Sequence, residues 1–173
     1  MFKYFKEPIR NQLRYMVNPE KAFSRIDKES LEDIVGDYFK LLVFFGFIAA
    51  IVVYGYTLAS SLYLDLVHGA NINYINLMNY YSGRASAVFF FYLFFGSFFI
   101  FFISLFFSKF FNKMKFTHFL KMFLRSTGPI LLLSWIPGLL AGSVAWSLLL
   151  LIIGGKIKNK VHKIDSKSIN QRD

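Results

Sequence analysis

The residues of this chain that could do chemistry are few and scattered. There is no cysteine, so thiolate catalysis, disulfides, palmitoylation and cysteine-based metal sites are excluded. Asp65 and His68 stand one helical turn apart. That spacing brings two ligands to one face, but a metal site needs more. No carboxylate and no histidine lies in Leu41–Leu64, Ala85–Ser108 or Ser126–Gly155. General acid–base work needs a positioned pair. The expectation is therefore a non-enzymatic protein with no catalytic residue, no metal and no cofactor. What remains is cationic. Net charge is +10, and two groups of basic residues carry much of it: Lys109, Lys113, Lys115, Lys121 and Arg125, then Lys156, Lys158 and Lys160. Phe110, Phe111, Phe116, Phe119 and Phe123 interleave with the first group, a pattern that also suits nucleic-acid grooves. These charges flank apolar runs, so anionic membrane lipid is the expected partner and nucleic acid is not. A protein partner on the same cytoplasmic face is not separated from lipid by sequence.

Those charges must be positioned by membrane-spanning elements. The chain has 173 residues, 55% hydrophobic, with 23 Phe, which puts it in the membrane class. Ser126–Gly155 is an uncharged run of thirty residues, about 45 Å long as one helix against a bilayer core of ~30 Å. Positive segments before and after it belong on the same, cytoplasmic, side. An even number of crossings between them predicts a hairpin, with arms 117–136 and 139–155. Lys121 and Arg125 then snorkel to the inner surface. Gly128 and Pro129 interrupt the first arm, and Pro137-Gly138 makes the turn. One long helix kinked at Pro137 and a re-entrant loop are the rivals.

The rest follows in order. Residues 1–40 form a cytoplasmic segment. Phe2, Phe5, Ile9, Leu13 and Met16 recur at helical spacing, with Lys3, Lys6, Arg10 and Arg14 on another face. This predicts an amphipathic interfacial helix, with Pro8 weakening its first half. Asn18-Pro19-Glu20 reads as a helix start, Asn18 being the N-cap. Ser30 with Asp33 reads as a second, leading without a break into the span 41–64. The acids Glu32, Asp33 and Asp37 are read chiefly as dipole complements. Residues 66–84 form an outer loop whose only full positive charge is Arg84, with a short surface helix over 74–78. The second span is 85–108, where Gly96 and Ser97 mark the closest helix contact. Gly138 and Gly142 form a GxxxG in step with Trp146, whose indole N–H wants a partner inside the bundle. The expected mate is the first span through Gly55 and Ala59, with a homo-oligomer through Gly138 and Gly142 as the alternative. Residues 156–173 are a basic cytoplasmic tail. The fold class is thus an all-α integral membrane protein. It is a small bundle of four transmembrane helices with an N-terminal amphipathic segment, and both termini are cytoplasmic.

Four segments, taken in order, resemble the Yip family, the Ypt/Rab-interacting membrane proteins, in its short prokaryotic form. They are Asn18-Pro19-Glu20-Lys21-Ala22-Phe23, the basic loop before the third span, Gly128-Pro129, and Trp146-Ser147-Leu148 through Ile153-Gly154. The resemblance covers roughly 17–156. It implies a small helical bundle with a cytoplasmic N-terminus and no defined activity. Only sixteen residues separate Pro129 from Trp146, where the family has more. No Asp-Leu-Tyr-Gly-Pro segment like that of eukaryotic members is present, so GTPase binding is not carried over. The functional expectation is a membrane protein that organises lipid or recruits partners through its basic face. The alternative is a transporter or channel component with substrate near the Pro-broken helices.

Overall fold

The computed structural model describes residues 2–69, 73–109, 115–136 and 138–169, apart from the side chains at 2–3, 99, 107–108 and 158–169. Among the described residues it is helical, with no strand. Three helices are long and apolar enough to cross a membrane: Leu31–His68, Tyr74–Phe106 and Leu140–Ile157.

Helix α1 is Phe2–Val17, and it continues through Pro8 rather than starting there. Helix α2, Pro19–Phe23, has Pro at its first position as expected, but the Asn18 side chain makes no capping bond. A 3₁₀ turn over Ile26–Lys28 leads to Ser30, whose hydroxyl accepts from the Asp33 N–H at 3.0 Å. This bond satisfies one of the orphan donors at the head of α3, Leu31–His68. The helix ends at Gly69, which is left-handed at φ 61°.

Helix α4 is Tyr74–Ser108. It begins eleven residues before the predicted second span, because Asn73 caps it: the Asn73 carbonyl oxygen of the side chain accepts from the Asn76 N–H at 3.2 Å. The predicted surface helix over 74–78 is its first turn. Helices α3 and α4 run antiparallel in a fixed register. A Cβ on Gly96 would fall 2.3 Å from Leu42, and one on Gly46 3.3 Å from Tyr92. The Tyr38 hydroxyl donates to the Gly96 carbonyl at 2.8 Å, Ser61 meets Tyr81 at 2.8 Å, and Asp65 meets Tyr74. Gly96 is thus the close contact the sequence suggests, with Gly46 a second one it did not.

The predicted third span, 117–136, is not one helix. It is α5, Phe116–Ser126, and α6, Gly128–Leu133, joined at Thr127. Pro129 lies in the first turn of α6, where its missing N–H costs nothing. Gly138 turns the chain at φ 86°, and Pro137 lies outside the described residues. Helix α7, Leu140–Ile169, returns alongside α6. At the tip, Ser134 bonds the Tyr92 hydroxyl, near the middle of α4. The buried core gathers at the other end of the hairpin, around Tyr15, Phe23, Ile26, Ile34, Leu41, Phe119, Met122 and Leu150.

Candidate functional site: a closed charge cluster beneath a cationic rim

Helix α5 carries its polar residues on the face that packs inward. Arg125 is only 3% exposed at its side chain, and Asp37 and Glu29 beside it 13% and 22%. Arg125 Nη2 and Nε donate to Glu29 Oε2 at 2.7 and 3.1 Å, a two-pronged grip on one carboxylate oxygen. Its Nη1 donates to Asp37 Oδ2 at 3.1 Å. Such charge-assisted bonds are roughly twice as strong as neutral ones. The guanidinium also lies 5.4 Å from the centroid of the Tyr15 ring.

Helix α1 closes the cluster. Asn11 Nδ2 donates to Asp37 Oδ2 at 3.0 Å, and Gln12 Nε2 to the Arg125 carbonyl at 2.7 Å. The Tyr15 hydroxyl donates to Glu29 Oε1 at 2.8 Å. Burial, and then the Glu29 carboxylate, push the Tyr15 phenol well above its ordinary pKa. Gly128 is required here because a Cβ would fall 2.2 Å from Gln12 Nε2. Lys121 bonds the Glu29 carbonyl. Beside the cluster, His118 Nδ1 meets Asp27 Oδ1 at 2.6 Å. Each acid already faces a cation or an amide, so the cluster fixes three chain segments to one another. Among the described residues, no three His, Asp or Glu side chains converge as metal ligands.

The basic residues named from sequence divide in two. Arg125 does not face lipid. It is buried in ion pairs because two carboxylates lie within reach and leave it no reason to snorkel. Lys121 is half-buried, held by the Glu29 carbonyl. Lys109, Lys115 and Lys156 are exposed. Lys113 and the side chains of Lys158 and Lys160 lie outside the described residues.

The packing residues are also corrected. Cβ atoms at Gly55, Gly138 and Gly142 would meet nothing within 4 Å, and Ala59 is exposed. Among the described residues, the GxxxG therefore packs on no other helix. Trp146 is 47% exposed and points out of the bundle. The close backbone approaches fall instead at Gly46, Gly96, Gly128 and Gly154, the last against Phe23 and Met122.

Sequence reasoning missed Glu29, Gln12 and Tyr15, and read Asp37 as a dipole complement where it pairs with Arg125. One signal was present: His118, Met122 and Arg125 repeat at three- and four-residue steps on α5, and a buried stripe with a cation implies an acid opposite. No family model, curated protein or solved structure matches the chain.

Proposed function

We propose that this is a non-enzymatic multi-pass membrane protein of Yip-like type whose basic inner face organises anionic lipid or recruits a partner there. One observation carries the reading. At the end of the bundle where α3 starts and α4 ends, the deeply buried Arg125 is neutralised within the fold, while Lys109, Lys115 and Lys156 are left exposed. Among the described residues these three lysines have no ion-pair partner, and short segments rich in Lys and Arg stay cytoplasmic.

In this reading α3 and α4 cross the bilayer and the α5–α6–α7 hairpin dips into it from the inner side. The Ser134–Tyr92 contact supports a re-entrant hairpin over two full crossings, since it sets the tip near mid-α4. Either arrangement leaves both termini inside. The Yip-like element rests on motif order alone.

Changing Lys109, Lys115 and Lys156 to Gln should lower the enrichment of phosphatidylglycerol over phosphatidylcholine around the reconstituted protein. An unchanged ratio removes the reading. The transporter alternative is favoured by the interrupted hairpin alone, and substrate-independent impermeability of proteoliposomes would remove it.

A further inference from the structure

Three ladders of contacts give the heights of side chains along α3. On α4, Gly96 stands beside Leu42 and Gly46 beside Tyr92. Phe98 and Phe102 therefore stand beside the stretch of α3 that carries Asp37 and Lys40, and they are 54% and 55% exposed. On α1, Phe5 stacks on Phe44 at 4.6 Å, Lys40 sits 4.8 Å from the Tyr4 ring centroid, and Asn11 bonds Asp37. Helix α1 therefore lies along α3, antiparallel to it. On α7, Gly154 packs on Phe23, whose ring is 5.0 Å from Tyr15. The exposed Leu148, Leu149 and Ile152 lie on the deep side of that height.

One depth of the bundle thus carries two apolar walls and one charged strip. The walls are α4 and α7, and water does not suit them. The strip is the outer face of α1, where Lys6, Arg10 and Arg14 are exposed. Glu7 lies 3.8 Å from Arg10 and Glu29 3.6 Å from Arg14, so two of the three cations are partly offset and Lys6 leaves the strip net positive. A second copy of the same strip would repel it. A soluble acidic partner would have to enter between the apolar walls. Anionic headgroups fit both the charge and the place, because phosphate can reach below the mean headgroup level where a bilayer thins beside polar side chains.

We infer that the exposed face of α1, through Lys6 and Arg10, binds the phosphate headgroups of anionic phospholipids and draws them into the inner leaflet beside the bundle. This deepens the proposed function and rests on its reading of the basic end as the inner face.

The cysteine-free chain suits a direct test. Leu13 is exposed beside Arg10 and Arg14 and not buried with the apolar face expected for it, so Leu13→Cys and Phe102→Cys place single spin labels on exposed positions at one height, on the strip and on the wall. In phosphatidylcholine–phosphatidylglycerol vesicles, the label at 102 should collide with oxygen and not with a water-soluble nickel chelate, and the label at 13 the reverse. In addition, Lys6→Gln with Arg10→Gln should reduce the preference for spin-labelled phosphatidylglycerol roughly five- to thirtyfold, the scale of one to two basic groups at an anionic surface. Two nickel-accessible labels would put this height outside the bilayer and overturn the inference while leaving the Lys109, Lys115 and Lys156 rim intact. Two oxygen-accessible labels would overturn it by burying the strip in hydrocarbon. A label at 13 shielded from both reagents and broadened by a second label would mean that another copy covers the strip. An unchanged lipid preference in Lys6→Gln/Arg10→Gln would remove the headgroup as occupant.

Discussion

Replacing Arg125 with Met tests whether the closed cluster holds the protein together. The substitution keeps an unbranched stem, shorter than arginine's, and removes the charge and five donors. It leaves Glu29 and Asp37, with side chains 22% and 13% exposed, without their cation. Breaking a buried ion pair by removing one partner typically costs 3–5 kcal/mol, most of it from the charge left behind. Glu29 keeps the Tyr15 hydroxyl at 2.8 Å and Arg14 at 3.6 Å, so the lower end applies, about 3 kcal/mol. At roughly 2–4 °C per kcal/mol for a chain of this size, the melting temperature in mild detergent should fall by about 6–12 °C. A lipid-facing arginine would instead cost under ~1 kcal/mol. Adding Glu29→Gln and Asp37→Asn to Arg125→Met removes the orphaned charges and should recover part of the loss. Heating followed by size-exclusion chromatography reads both effects. A fall of less than about 2 °C for Arg125→Met, or a triple variant no more stable than the single one, would refute the assignment of Arg125 to the core.

Gly96→Ala puts a Cβ 2.3 Å from Leu42 Cδ1 and should cost ~1–3 kcal/mol by overpacking, whereas Gly142→Leu meets nothing within 4 Å and should leave the monomer's melting temperature unchanged. Gly128→Ala should displace Gln12 from the Arg125 carbonyl, and limited proteolysis should then release α1 before the rest of the chain is cut. The raised pKa of Tyr15 means the folded state keeps a proton that the unfolded chain loses above pH ~10. Stability should therefore be insensitive to Tyr15 below that pH and fall above it, and a titration of melting temperature should lose this alkaline decline in Tyr15→Phe.

The long apolar helices were legible because they need only composition. Leu41–Leu64 and Ala85–Ser108 announce themselves by lacking charge, and Ser30 with Asp33 marks the helix start by a local bond. Local signals failed where a distant group decided the outcome. Arg125 looked like a snorkelling cation because its sequence neighbours are apolar, yet its partners lie 96 and 88 residues away. Gly138 and Gly142 looked like a contact because small residues permit close approach, but permission is not a partner. The contacts formed instead at Gly46, beside Tyr92, and at Gly96, beside Leu42, on a helix α4 that extends back to Tyr74. That extension depended on a single Asn73 cap inside what read as an outer loop.

The cluster also explains why α1 can present a charged strip at all. Successive residues of a helix are ~100° apart, so turning α1 by one residue would move Gln12 off Gly128 and carry Arg10 and Arg14 around the bundle. Apolar side chains in place of the ion pairs could hold α1 as tightly, and buried ionic groups are often no more stabilising than such replacements. They would not fix its rotation, because apolar contacts tolerate sliding. Asn11, Gln12 and Tyr15 each meet one acceptor, at Asp37, Arg125 and Glu29. Three directional bonds from two successive turns admit one rotation and one height. That rotation points Lys6 and Arg10 outward and sets Arg14 beside Glu29. The buried charges thus fix where the exposed ones stand, by holding the helix that carries them in register.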